Sequence, residues 1–149
     1  MNRKILYLKL FIFSLFYGFV LINWIDLFGS SMPAYHIWLI LMYFVPLSIS
    51  IAIQGTEDFE LALALGLFTS LMNDVFYFVA GDLLFGFHQN LIDWWLGQFG
   101  FKGYKVLFTF NGGIIHFPVY SWLMGLSIYS RIIAVVLLSE RWLYNLPKL

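Results

Sequence analysis

The sequence predicts an all-α polytopic integral membrane protein with four transmembrane helices and an interfacial segment before the last helix. Three observations carry this. Of 149 residues, 62% are hydrophobic and only 11% charged, whereas about a quarter of a soluble domain is charged. Eight basic and eight acidic side chains are too few to cover a water-facing surface. Apolar runs of roughly 20 residues recur, the length that crosses a hydrocarbon core about 30 Å thick. Residues 1–149 read as one domain.

The first span is Ile5 to Ile25, uncleaved, because its apolar run is too long for a signal peptide and does not end in small residues. Arg3 and Lys4 precede it, Lys9 lies one turn inside and can snorkel, and Trp24 suits the opposite interface. Gly29 to Pro33 forms a turn. The second span is Tyr35 to Ile53, with Pro46 inside it and Ser48 and Ser50 placed to satisfy the carbonyls it frees. Gln54-Gly55-Thr56 breaks it, and Thr56 is a fair N-cap for the third helix, which runs to about Ala80.

The third helix is the organising element. Ala62, Gly66 and Ser70 form a small-residue stripe spaced by four that admits a close neighbour. Glu60, Leu67, Ser70, Asp74 and Tyr77 share one side, with Asn73 about a quarter turn away. That polar side is expected to face another helix rather than lipid. Glu57, Asp58 and Glu60 at its start read as first-turn acids favoured by the helix dipole, with a carboxylate cluster for a metal or proton as the other reading.

Gly81 to Lys105 is less apolar. Its glycines at 97, 100 and 103 lack the Lys-Ser/Thr of a phosphate loop. The segment reads as interfacial, with a short amphipathic helix near Asn90 to Leu96. Val106 to Leu138 carries one charge, Arg131, and is too long for a single straight span. One reading is a dipping or irregular stretch from Val106 to Phe117 and a last helix from Pro118 to Leu138; the other is one helix kinked at Gly112-Gly113. A short tail follows from Ser139.

Four spans put both termini on one side, with Arg3, Lys4, Lys9, Arg131, Arg141 and Lys148; the other side holds only Lys102 and Lys105. The positive-inside rule then makes the termini cytoplasmic. His36, His88 and His116, with Asp26, Asp82 and Asp93, fall toward the outer face. Asp74 lies about 9 Å below that face at 1.5 Å per residue. Glu60 is expected to pair with Arg131 at the inner boundary.

Charge and composition exclude several classes. The net charge is zero, so no basic field attracts nucleic acid. The chain has no cysteine, which removes thiolate zinc sites, iron–sulfur clusters and cysteine nucleophiles.

Asp74 is the sharpest single residue. A carboxylate within a bilayer costs on the order of 3 kcal/mol unless paired, hydrated or metal-bound. It is either functional or polar glue, with Asn73 and Tyr77, between helices. The histidines and Asp74 are candidate ligands for a divalent metal, although no two histidines have ligand spacing. Ser70, Asp74 and an outer histidine admit a hydrolase arrangement, although no Gly-x-Ser-x-Gly is present.

Asn73-Asp74 followed by Tyr77-Phe78, then Trp94-Trp95, then Pro118-Val119-Tyr120 resembles a pattern in small prokaryotic polytopic membrane proteins to which no activity is assigned. Their version opens on an acidic pair, whose first acid is Asn73 here. The resemblance covers roughly the second half of the chain and implies no activity.

Three functional readings result. In the first, the outer half of the bundle holds a polar site on Asp74, Asn73, Ser70 and Tyr77, with Glu60 as a further protonatable group and His36, His88 or His116 completing it. It binds a metal ion, a proton-coupled solute or a lipid-soluble substrate. In the second, the chain is a non-catalytic subunit of a larger membrane complex. In the third, it is a lipid-acting intramembrane hydrolase. The partners expected are the lipid bilayer and further copies of the chain or other membrane subunits.

Overall fold

The computed structural model describes residues 3–29, 31–53, 59–86 and 90–144. The molecule is mostly helical. The first helical rod, Arg3–Gly29, is three pieces end to end: α1 (Arg3–Phe16), a π-helical stretch (Tyr17–Ile22) and α2 (Asn23–Gly29). Then come α3 (Tyr35–Ile53), α4 (Phe59–Phe85), the short α5 (Leu91–Gln98), the strands β1 (Val106–Asn111) and β2 (His116–Tyr120), and α6 (Ser121–Tyr144). Three helical rods, Arg3–Gly29, Phe59–Phe85 and Ser121–Tyr144, are long and apolar enough to cross a membrane; α3 is apolar over the shorter run Tyr35–Ile49.

The hub is α4, against which every other helix packs. Its own sequence explains why. Ala62, Ala64, Gly66, Thr69 and Ser70 are small and buried, so neighbouring backbones come close. A Cβ on Gly18 would lie 2.7 Å from the Thr69 carbonyl oxygen, and one on Gly66 would lie 2.1 Å from the Phe44 ring. The small stripe thus receives α3, and the π-helical stretch fits beside it. Buried clusters line up along α4. One joins Leu6, Leu10, Leu47, Leu61 and Trp142 near its start. Another joins Leu71 to Val119, Met124 and Ile128 further on. By contrast, α3 and α6 both flank α4 but make little contact with each other.

The start of α1, the start of α4 and the end of α6 share one end of the bundle. Arg3 Nη1 donates to the Trp142 carbonyl (3.3 Å) and its guanidinium sits over the Trp142 ring. Tyr7 donates to Ser139 Oγ at 3.0 Å. Arg141 Nη2 lies 3.3 Å from Glu60 Oε1. Glu60 therefore pairs with Arg141 and not with Arg131, which corrects the expectation from sequence.

The chain between 106 and 120 departs from both readings of it. It is neither a dipping irregular stretch nor part of a kinked helix, but an antiparallel β-hairpin pairing Asn111 with His116 and Thr109 with Pro118. The architecture is therefore not purely α. Val-Leu-Phe-Thr-Phe suits a pleated strand, and Asn111-Gly112-Gly113 supplies the turn. Gly113 has φ +85°, and its N–H donates to Asn111 Oδ1. Pro118 is tolerated because both strands of a two-stranded sheet are edges.

The last helix starts three residues after Pro118. The loop before the hairpin satisfies its first amides: Ser121 N–H donates to the Lys105 carbonyl and Trp122 N–H to the Gly103 carbonyl. It continues to Tyr144, so the predicted tail from Ser139 is partly helical. The third helix ends at Phe85 rather than Ala80. The short helix predicted near Asn90 is present, with Asn90 Oδ1 capping it through Asp93 N–H. Trp94 and Trp95 tie it to the middle of α4 by donating to the carbonyls of Asp74 and Val75. The Gln54–Thr56 break, Glu57, Asp58, His88 and Lys148 lie outside the described residues.

Candidate functional site

The polar residues of α4 point two ways. Ser70 and Asp74 are one turn apart and face α6. Arg131 brings Nη1 to 2.6 Å from Asp74 Oδ2 and 3.0 Å from Ser70 Oγ. Its Nε donates to the Ser127 carbonyl one turn back, which fixes the plane of the guanidinium. Ser70 sends its own proton to the Leu67 carbonyl at 2.8 Å. Arg131 lies about 15 Å along α6 from Ser121, and Asp74 about 16 Å from the Phe85 end of α4, at 1.5 Å per residue. The pair therefore joins the midpoints of two long helices. The sequence reading counted Arg131 among the basic residues of the inner side; the structure instead sets it midway along α6.

Asn73 faces the other way. Its Nδ2 donates to Asn23 Oδ1 and to Asp26 Oδ2, both at 2.9 Å, and its Oδ1 accepts from Tyr43 Oη at 2.6 Å. Both amide protons and the carbonyl are engaged. Asn23 in turn donates to the carbonyls of Gly18 and Phe19. Those carbonyls belong to the π-helical stretch, where the ordinary i→i−4 ladder is interrupted. One buried amide pair thus satisfies the widened turn and crosses to α4. Asn23 and Tyr43 were missed as site residues. The signal available was Asn23 and Asp26 at a spacing of three within an apolar run, which puts both on one helix face.

Between α3, α4 and α6 lies a cavity of about 930 Å³. It occupies the gap left where α3 and α6 fail to meet. Ser70, Asp74 and Arg131 line it in the middle, with Asp26, Tyr43 and Tyr77. Leu39, Ile40, Phe44, Leu67, Leu123 and Met124 give it apolar walls. The hairpin roofs it with Phe108, Phe110, Asn111 and His116. His36 stands under that roof, its ring stacked on Phe108 and Phe110, and its Nδ1 accepts the Asn111 N–H at 2.7 Å.

The structure brings together Asp74, Ser70, Tyr77, His36 and His116 around one cavity, with Asn73 one layer behind. It does not bring Glu60, which is held by Arg141 at the far end of α4. No group of three or more His, Asp and Glu able to hold a metal occurs among the described residues. The donor chemistry explains this. Asp74 is committed to Arg131. An Nδ1 that accepts a backbone N–H leaves the His36 proton on Nε2 and no free lone pair for a metal. His116 sits on the exposed hairpin. Ser70 hydrogen bonds to Leu67 and Arg131, and to no histidine among the described residues.

At the hairpin end, Asp93 binds Lys102 and lies 3.6 Å from Lys105. The two lysines of that end thus share one carboxylate, and neither lines the cavity. No protein-family model, no curated protein and no solved structure matches the chain.

Proposed function

We propose that this chain is a four-span membrane protein that holds an amphiphilic, membrane-derived ligand in the cavity between α3, α4 and α6. One observation carries the reading: an apolar cavity of about 930 Å³ with a largely buried Asp74–Arg131 pair at 2.6 Å in its wall. Its volume falls in the range of sites for small molecules. A gap between two helices is also the direction from which a lipid-soluble molecule arrives. The polar part of the ligand meets the polar side chains of the cavity lining, Asp26, Ser70, Asp74 and Arg131, and its chain lies along Leu39, Ile40 and Leu123.

In this reading α3 is the fourth span, both termini are cytoplasmic, and the hairpin lies at the outer end. A hairpin has open edges, which do not occur in lipid hydrocarbon, so it belongs above the lipid core or against protein. The bilayer is the surrounding partner.

The test is extraction of the protein purified in mild detergent and mass spectrometry of what co-purifies, beside Leu123→Trp, which fills the cavity from α6. An amphiphile enriched in the wild type and lost in the variant supports the reading. Identical extracts from both overturn it.

A second reading has its own observation. The Asn73–Asn23–Asp26–Tyr43 network couples the first helical rod, α3 and α4 with no unused donor on Asn73. That is helix-locking chemistry, and it suits a structural subunit of a larger complex. Purification at native size distinguishes the two, because a subunit travels with unrelated chains.

A further inference from the structure

The cavity has an uneven charge inventory. Two carboxylates line it, Asp26 and Asp74, and one guanidinium, Arg131. Arg131 is spent on Asp74. Asp26 receives one amide proton from Asn73 and has no basic partner among the described residues. Two histidines also line it: accepting the Asn111 N–H on Nδ1 makes His36 a neutral ring, and His116 stands on the exposed hairpin. An acid at membrane depth is costly unless a cation or water meets it.

Tyr35, Tyr43, Tyr77, Trp94, Phe108 and Phe110 all border the cavity. Aromatic side chains lining the same cavity as a carboxylate make an environment that holds an ammonium group, through ring quadrupoles together with the acid. An anionic headgroup would find only a guanidinium already paired and a second carboxylate repelling it.

We infer that the ligand of this cavity is a cationic amphiphile, an amine or quaternary ammonium on an apolar chain, with Asp26 as its counter-ion and the aromatic walls around it. This rests on the cavity reading above and adds the charge of the headgroup.

The test uses the full chain in a neutral maltoside detergent and three probes of equal chain length: tetradecyltrimethylammonium, tetradecyl sulfate and tetradecanol. Binding is read by isothermal titration and by native mass spectrometry. The ammonium probe is expected to bind saturably, about tenfold or more tighter than the other two, an amount typical of one desolvated cation–π contact plus a counter-ion. Asp26→Asn keeps an acceptor for Asn73 and should erase the preference while still binding the alcohol; Asp26→Glu should retain it.

Equal binding of all three probes, or a preference for sulfate that Arg131→Gln abolishes, overturns the charge assignment and leaves the cavity reading standing. Binding of none overturns both. Should Asp26→Asn fail to fold, the ranking of the probes on the wild type decides the charge by itself.

Discussion

Arg131 Nη1 stands 2.6 Å from Asp74 Oδ2 and ties the middle of α6 to the middle of α4. Both side chains are largely buried, so neither charge is solvated well on its own. Removing one partner leaves the other uncompensated, which typically costs about 3–5 kcal/mol for a buried pair. Arg131→Gln and Asp74→Asn alone should therefore each lower the melting temperature in detergent clearly. The double variant, which removes both charges, should recover much of the loss. Additive losses in the double-mutant cycle would mean the pair is not coupled.

Asn73 has a different dependence. Asn73→Ala deprives Tyr43 of its acceptor and leaves Asn23 and Asp26 without their donor. Each stranded buried group costs about 1–3 kcal/mol. The expected loss exceeds that of Tyr43→Phe, which removes only one bond. Thermal unfolding followed by tryptophan fluorescence compares them directly, and a smaller loss for Asn73→Ala would refute the network.

Two glycines distinguish rigid from yielding contacts. At Gly18 an added methyl meets the Thr69 carbonyl oxygen at 2.7 Å, which is backbone and cannot move aside. At Gly66 it meets the Phe44 ring at 2.1 Å, and that ring borders the cavity, into which it can turn. Gly18→Ala should separate the first helical rod from α4 and cost more than Gly66→Ala, each within the roughly 1–3 kcal/mol of overpacking. Gly66→Ala should in addition reduce cavity volume and ligand binding. The reverse order of stabilities would contradict this packing.

The absence of cysteine makes topology easy to test. Ile114 at the hairpin tip is 97% exposed, and Glu140 is exposed on α6 near the opposite end. In the four-span arrangement, Ile114→Cys should react with a membrane-impermeant maleimide on intact cells. Glu140→Cys should react only after permeabilisation. Equal labelling of both from outside would refute the arrangement.

The helical framework is legible in the sequence because length and apolar content alone dictate it. The helix at Tyr35 begins where its pattern implies. The hairpin was legible in part. Its Asn-Gly-Gly turn and alternating Phe-Thr-Phe carry the β signal, yet within a long apolar run they read as interruptions of a helix. Pro118 compounded this, since proline suits a helix start as well as an edge strand. For the site, the side shared by Ser70, Asp74 and Tyr77 follows from 100° periodicity. Which arginine answers Asp74 does not, because that depends on where α6 begins and how far it slides along α4. The link between Asn23 and Asn73 was hidden for the same reason: their pairing is set by two helices meeting, with the π-helical stretch adjusting the face that Asn23 presents.

The central claim is that the gap between α3 and α6 holds an amphiphile against the Asp74–Arg131 pair. Native mass spectrometry of the wild type and of the Asp74→Asn/Arg131→Gln variant tests it most directly, because the variant keeps the cavity's shape and Asp26 but loses the ion pair. The account predicts one bound amphiphile per chain in the wild type that survives removal of loosely held detergent and lipid, and its loss or exchange for another species in the variant. A wild type free of bound amphiphile, or the same species at the same occupancy in both proteins, would contradict it.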